Sequence, residues 1–213
     1  MSKSLKLSVA MIVAVAVALT AAFVLTRTDD ENTPASTDGS SEPLVRDDSP
    51  RLSSGKEAVF VEFLDFECEA CKAAHPVIED LREEYGDQVT FVVRHMPLHG
   101  NSMNAALASE AAAEQGEFEA MHDKLFATVD QWGHQQDSQA KTFEGYAKDL
   151  GLDMEQYRAD VEDPAIKKRV EQSQDDAEAL GVTGTPTFFL DGEEFEPSSI
   201  GEFDTALDDA IQD

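Results

Sequence analysis

The chain contains two cysteines, and they lie three positions apart in the sequence Cys68-Glu-Ala-Cys71. Residues 59–66, just before the pair, are rich in β-branched and aromatic side chains and predict a buried strand. After the pair, apolar residues recur at helical spacing, at Ala74, Val77, Ile78 and Leu81. We therefore expect the cysteines where a strand turns into a helix. Because the N-terminus of a helix stabilises an anion, Cys68 is placed to be a nucleophilic thiolate, with Cys71 one turn deeper.

A zinc site is one alternative for the pair, because His95 and His99 follow it and complete a C-x-x-C…H-x-x-x-H pattern. Zinc modules usually keep about 12 to 20 residues between the ligand pairs and are small domains that need the metal to fold. Here the ligand pairs are separated by residues 72–94, and a strand pattern runs into His95. A purely structural disulfide is the other alternative.

The N-terminal segment indicates where the chain resides. Residues 7–25 carry no charge, two lysines precede them and three acidic residues follow at 29–31. Residues 1–26 therefore predict a single-pass membrane anchor that leaves the rest of the chain outside the cytoplasm. The alternative is a secretory signal that is cleaved, which releases the protein. Both place the cysteines in an oxidising compartment.

Composition divides the remainder of the chain. Residues 27–55 are mostly Ser, Thr, Asp, Pro and Gly and predict a flexible acidic linker. Residues 56–212 are enough for one domain. The net charge of −28, from 44 acidic against 16 basic residues, argues against nucleic acid or anionic lipid as a partner.

Within residues 56–212 the patterns predict an α/β domain. Its order is strand, helix, strand, a helical block at about residues 102–180, a strand hairpin and a last helix. The hairpin is indicated by the Phe-rich residues 187–190 followed by the turn dipeptide Asp191-Gly192.

With these parts in this order, the sequence resembles the thioredoxin superfamily, and within it the DsbA-like thiol:disulfide oxidoreductases. The resemblance covers about residues 53–212. It is carried by Cys68-Glu-Ala-Cys71, by Pro76 in the following helix, and by Thr185-Pro186 ahead of a Phe-Phe strand. It implies a thioredoxin fold with a helical domain inserted between the second and third core strands.

The resemblance also assigns site residues. Cys68 attacks or is attacked in a mixed disulfide, and Cys71 resolves it. Pro186 is expected to be cis, with the backbone of Thr185 free to pair with a substrate peptide. Glu62 stands where the family keeps a buried acid that trades a proton with the second thiol; the alternative is a strand-edge glutamate in solvent. No metal is expected, and no cofactor besides the redox-active Cys68–Cys71 disulfide.

The implied function is an extracytoplasmic oxidoreductase that forms or exchanges disulfides in secreted proteins. Its partners would be exported clients with cysteines and a membrane redox protein that recycles the disulfide. We expect a monomer. The rival functions are a thiol reductase for one client, such as an apocytochrome, and a non-catalytic chaperone or adaptor with a structural disulfide.

One departure from the family pattern concerns the residues around the first cysteine. Ala70 stands where the strongly oxidising DsbA proteins have a histidine, and Glu67 and Glu69 flank Cys68. Carboxylates disfavour a nearby thiolate, so we expect a weaker oxidant. His75, one turn after Cys71, is expected on the helix surface.

Overall fold

The computed structural model describes residues 44–212. The predicted anchor or signal at residues 1–26 lies outside this range, as does most of the predicted linker. Within residues 44–212 no helix is both long and apolar enough to cross a membrane.

A four-stranded mixed sheet forms the centre of the domain. Its strands are β1 (Ala58–Leu64), β2 (Val89–His95), β3 (Thr187–Leu190) and β4 (Glu193–Phe195). They lie in the order β2-β1-β3-β4. β1 and β2 are parallel, whereas β3 is antiparallel to both β1 and β4. The parallel pair requires a crossover helix, which is the helix that begins at the cysteines.

The helices occupy the places that the sequence patterns predict. The first helix, α1 (Glu69–Tyr85), connects β1 to β2, and the last, α7 (Ile200–Ala210), follows β4. Five helices lie between β2 and β3: α2 (Ser102–Ala113), α3 (Phe118–Trp132), α4 (Ala140–Asp149), α5 (Met154–Val161) and α6 (Pro164–Ala179). This arrangement confirms the α/β thioredoxin fold with a helical insertion between the second and third core strands.

The sheet is covered on both faces. Phe60 and Leu64 of β1 belong to the larger core, which also contains Ile78 and Leu81 of α1. The alternate β1 residues Val61 and Phe63 belong to a second core on the opposite face, together with the following residues: Leu44, Val92, Met96, Ala177, Val182 and Phe189. Since neighbouring side chains of a strand point to opposite faces, Glu62 lies on the same face as Phe60 and Leu64, toward α1.

The expectation of a flexible linker through residue 55 does not hold for residues 44–55. Leu44 and Leu52 are buried in the two cores. The backbone N–H of Leu52 donates to the carbonyl of Phe91, and that of Val93 donates to the carbonyl of Pro50, each over 2.9 Å. A few apolar residues and backbone pairing along the edge of β2 thus order a segment whose composition alone predicts disorder.

Candidate active site

Cys68 lies at the N-cap of α1, and its thiol is partly exposed. Its backbone is extended, so the side chain projects from the turn that joins β1 to the helix. The Sγ atom donates to the carbonyl oxygen of Thr185 over 3.3 Å. Both cysteines of the pair are free thiols in this structure. The sequence prediction of an accessible first thiol at the start of a helix matches this geometry.

Cys71 is fully buried one turn below. Burial, reinforced by the nearby Glu62 carboxyl, raises the pKa of the Cys71 thiol far above its usual value. A thiolate at this position is therefore unfavourable unless a proton acceptor lies beside it. The two thiols are chemically distinct: Cys68 can meet another protein, and Cys71 can meet only Cys68 and groups inside the domain.

Glu62 is 5 % exposed, so it lies in the core and not at a solvated strand edge. Burial, followed by the charge of Glu79, raises the pKa of Glu62 to about 8. Among the described residues, no group forms a hydrogen bond to its Oε1 atom. A carboxyl group in this state holds a proton near neutral pH and can release it.

The Thr185–Pro186 peptide bond is cis. It precedes β3 and brings the Thr185 carbonyl to the Cys68 thiol. Among the described residues, no backbone carbonyl accepts a hydrogen bond from the Thr185 N–H. This segment thus offers an unused backbone donor next to the exposed thiol.

A network of buried acids supports the turn before Cys68, and the sequence patterns gave no sign of it. The Glu67 side chain is 1 % exposed. It accepts hydrogen bonds from the Asn101 N–H at 2.7 Å, the Ser102 hydroxyl at 3.3 Å and the His134 N–H at 2.6 Å. Glu67 thereby joins the active-site turn to two separate segments of the helical insertion. Its partners are distant in sequence, so no local spacing could have indicated them.

Asp65 supports the same turn from the other side. It is also 1 % exposed, and it accepts hydrogen bonds from the backbone N–H groups of Glu67 and Leu98, both at 2.8 Å. Its second oxygen lies 2.7 Å from Nδ1 of His99, and this hydrogen bond raises the pKa of His99. The strand that ends at His95 is thereby tied to the turn that carries Cys68.

Glu69, in contrast, is exposed and lies beside a histidine. Its carboxylate is 2.9 Å from Nε2 of His134, which contacts the ring of His99 at a centroid distance of 5.7 Å. Its own backbone N–H, followed by His134, lowers the pKa of Glu69. The two glutamates that flank Cys68 therefore differ: Glu67 is buried, and Glu69 is paired with a histidine from outside the motif.

The zinc alternative through His95 and His99 is wrong. His95 is buried and lies 3.0 Å from Glu110, whereas His99 is paired with Asp65. Within residues 44–212, the cluster of potential metal ligands includes neither of these histidines and neither cysteine. β2 places His95 against Glu110 of the insertion.

The expectation that His75 lies on the helix surface is also wrong. The His75 ring stacks on Phe126 at a centroid distance of 4.7 Å, between α1 and α3. Burial, followed by the charge of His122, lowers the pKa of His75. Helix periodicity placed this residue outside the core stripe, but the inserted helices cover this side of α1.

Comparison with known families gives a match over most of the domain. The profile of the family described as Thioredoxin matches residues 54–209. This range begins before β1 and ends within α7, so it includes both cysteines, the cis-proline and the helical insertion.

Among curated proteins, the chain is 40 % identical over 153 residues to a Na(+)/H(+) antiporter NhaA of Herminiimonas arsenicoxydans. The match covers 71 % of this chain but 24 % of that protein. The chain thus spans about a quarter of the length of this relative.

Two solved structures show the same fold. A thioredoxin-like oxidoreductase from Silicibacter pomeroyi has 29 % identity and a TM-score of 0.66, with 79 % of this chain and 95 % of that chain covered. The alpha-DsbA1 of Wolbachia pipientis has 20 % identity and a TM-score of 0.69, with 79 % and 94 % covered. Since the family profile extends over most of its length, the chain belongs to the thioredoxin family.

Proposed function

We propose that the protein is an extracytoplasmic thiol:disulfide oxidoreductase that forms or exchanges disulfides in exported proteins. The observation that carries the proposal is the contact of the Cys68 thiol with the backbone carbonyl of Thr185. The exposed thiol, the buried second thiol and the unused backbone donor of Thr185 together form a site for a peptide that carries a cysteine.

In the oxidising direction, a client thiolate attacks Sγ of Cys68 in the Cys68–Cys71 disulfide. A mixed disulfide forms between the client and Cys68, and Cys71 leaves with the electron pair. A second client thiolate then attacks the client sulfur and forms the client disulfide. Cys68 is released as a thiolate at the N-terminus of α1, where the helix dipole stabilises it.

Glu62 is proposed as the proton carrier for Cys71. The leaving Cys71 thiolate is buried, so it must be protonated as the bond breaks. Glu62 has its pKa raised to about 8 and carries a proton near neutral pH. In the reducing direction the same group accepts the Cys71 proton, which allows Cys71 to attack the mixed disulfide.

Client binding is assigned to the Thr185–Pro186 segment. An extended client peptide could accept a hydrogen bond from the Thr185 N–H, as an added strand does at a sheet edge. Backbone contacts of this kind do not depend on client sequence. The proposed clients are therefore exported proteins defined by their cysteines.

The proposed location rests on the N-terminal sequence, and the proposed partners rest on the family resemblance. The uncharged residues 7–25 with lysines before them support a membrane tether with the domain outside the cytoplasm, or a secretory signal. A membrane redox protein would restore the Cys68–Cys71 state after each turnover, with the chain acting as a monomer. The antiport activity named for the curated relative is not part of this proposal, since the match covers only 24 % of that protein.

The direction of electron flow depends on the reduction potential of the pair. We expect a value between about −120 mV and about −270 mV, the values typical of DsbA and thioredoxin. Equilibration with glutathione measures it. A potential near the upper value would support net oxidation of clients, and one near the lower value would support the reductase.

Trapping of mixed disulfides tests the proposed chemistry. Cys71→Ser removes the resolving thiol, so covalent complexes with cysteine-containing clients should accumulate through Cys68. Cys68→Ser is the matched control and should trap none, because its remaining thiol is buried. Equal trapping by both variants would contradict the assignment of the two thiols, and trapping by neither would favour a non-catalytic adaptor.

A further inference from the structure

Four potential metal ligands meet between the active-site helix and the helical insertion. His75 and Glu79 come from α1, and His122 and Asp123 come from α3. Each residue offers a ligand atom, and these atoms all lie within 4.8 Å of one another. None of the four takes part in the proposed thiol chemistry.

Each of the two histidines has a buried ring nitrogen without a hydrogen-bond partner among the described residues. Within the described part of the chain, Nδ1 of His75 and Nε2 of His122 are buried and have no hydrogen-bond partner. His122 is 2 % exposed, and its ring contacts that of His75 at a centroid distance of 5.2 Å. Buried polar atoms are normally paired, so two unpaired ring nitrogens in one cluster point to a missing partner.

Interactions within the cluster do not remove this deficit. Nδ1 of His122 lies 3.1 Å from Oδ1 of Asp123, which accounts for one nitrogen only. Arg82 donates to both oxygens of Glu79: its Nη2 atom lies 2.6 Å from Oε2 and its Nε atom 3.3 Å from Oε1. The cluster therefore keeps two carboxylates and two unpaired imidazole nitrogens in close proximity.

We propose that His75, Glu79, His122 and Asp123 form a binding site for a divalent transition-metal ion, with Zn²⁺ as the expected occupant. Imidazole nitrogens combined with carboxylate oxygens suit zinc, which accepts four such ligands in a tetrahedron. Two carboxylates balance the double positive charge, provided that Glu79 exchanges its ion pair with Arg82 for the metal. Zinc bonds of about 2.0 to 2.2 Å require the ligand atoms to approach one another more closely, which side-chain rotation can provide.

The metal would link two parts of the fold that carry different tasks. α1 begins at Cys68 and Cys71, and α3 belongs to the insertion. An ion held by both helices would fasten the insertion to the catalytic helix without contacting the thiols. Glu79 is also one of the charges that raise the pKa of Glu62. Zinc binding is measured in a variant without thiols, however, so the two proposals can fail separately.

Calorimetric titration of the full-length chain with Zn²⁺ alone tests the site. The Cys68→Ser/Cys71→Ser background prevents zinc from binding to the thiols. We expect one zinc per chain. His75→Phe keeps an aromatic ring against Phe126 but removes the ligand, and it should weaken binding by about tenfold to a hundredfold or more. Glu79→Gln should also weaken binding.

A matched control distinguishes specific zinc coordination by the four residues from nonspecific binding to surface carboxylates. Glu83→Gln makes the same chemical change on the same helix, at an exposed position, and should leave binding unchanged. The unfolding midpoint should rise with Zn²⁺ in the parent and not in His75→Phe. His122→Gln adds a second histidine test, but this residue is buried, so the decision rests on His75→Phe and Glu79→Gln.

Three results would overturn the proposal. The first is no zinc binding by the parent chain. The second is equal weakening by Glu83→Gln and Glu79→Gln, which would indicate an adventitious ion only. The third is zinc binding by the wild-type chain that is lost in the Cys68→Ser/Cys71→Ser variant, which would place the metal at the thiols.

Discussion

Glu62 and Glu67 lie on either side of the end of β1, and both are buried, yet their surroundings are opposite. Glu67 accepts hydrogen bonds from two backbone N–H groups and one hydroxyl. Glu62 has an oxygen with no hydrogen-bond partner among the described residues, and its pKa is raised to about 8. One carboxyl group therefore joins parts of the structure, and the other is poised to gain or lose a proton.

The difference in hydrogen bonding explains why two buried carboxyl groups have different roles. Removing a carboxyl group from water disfavours its charged form, and hydrogen-bond donors offset that cost. The hydrogen-bond donors around Glu67 offset this cost, and they connect the turn to the insertion. At Glu62 such donors are missing, so the cost of charge remains and appears as an elevated pKa beside Cys71. Substitution of each residue in turn tests whether the two glutamates differ in this way.

The largest expected effect is on the pH dependence of stability. A carboxyl group whose pKa is raised on folding stabilises the fold at low pH, and this contribution is lost as pH rises toward the folded pKa. Glu62→Gln should therefore gain stability over the wild type by about 1.4 kcal/mol per pH unit between about pH 5 and pH 8. The total should approach about 4 kcal/mol, measured as the free energy of unfolding in urea.

Glu67→Gln is the matched control for this experiment, since it makes the same change at a buried, hydrogen-bonded site. An equal pH-dependent gain in both variants would show that the gain does not come from the unpaired oxygen of Glu62. A flat difference curve for Glu62→Gln would mean that Glu62 ionises normally, and the contrast between the two residues would be lost.

The second effect concerns Glu67 itself. Glu67→Ala leaves two backbone N–H groups and the Ser102 hydroxyl without their acceptor. Each unsatisfied buried group costs about 1 to 3 kcal/mol, so we expect a loss of about 3 kcal/mol or more in the free energy of unfolding. Glu69→Ala, at the exposed neighbouring glutamate, is the control and should change little. Similar losses in the two variants would show that the hydrogen bonds of Glu67 add no more to the free energy of unfolding than the exposed Glu69 side chain does.

The contrast between the glutamates also marks what the sequence could and could not predict. Alternation in β1 and helical spacing in α1 are local, so the fold and the placement of both cysteines were predictable. The resemblance to the superfamily added Glu62 and the cis bond before Pro186. The role of Glu67 depends on segments of the insertion that only the folded chain brings near.

Two further differences between the sequence prediction and the structure also arise from contacts between distant segments. Leu44, with its neighbour Val45, and Leu52 are the few apolar residues in a polar stretch, and the cores on the two faces of the sheet bury both leucines. His75 and His122 meet because α1 and α3 pack at a particular rotation, which apolar periodicity does not specify. In each case the deciding contact joins segments that are distant in sequence.

The third expected effect is kinetic. If Glu62 carries the Cys71 proton, Glu62→Gln should slow resolution of a mixed disulfide near neutral pH by about tenfold or more, because positioned proton transfer commonly contributes at least that much. The wild-type rate should depend on a group that titrates near pH 8, and the variant should lose this dependence. Stopped-flow measurement of the release of a Cys68-linked peptide follows the step. A pH–rate profile identical in wild type and variant would leave Glu62 without a catalytic role.

The smallest expected effect compares the two glutamates that flank Cys68. Glu69 is exposed and paired with His134, so solvent and salt screen its charge. Glu69→Gln should therefore leave the Cys68–Cys71 reduction potential nearly unchanged at physiological salt. Glu67→Gln should change it more, because the Glu67 carboxylate fixes the turn from which the thiol projects. Equilibration of both variants with glutathione at low and high salt tests this order. A shift for Glu69→Gln that is large and insensitive to salt would show that its charge acts on Cys68 through the protein, as the sequence alone had suggested.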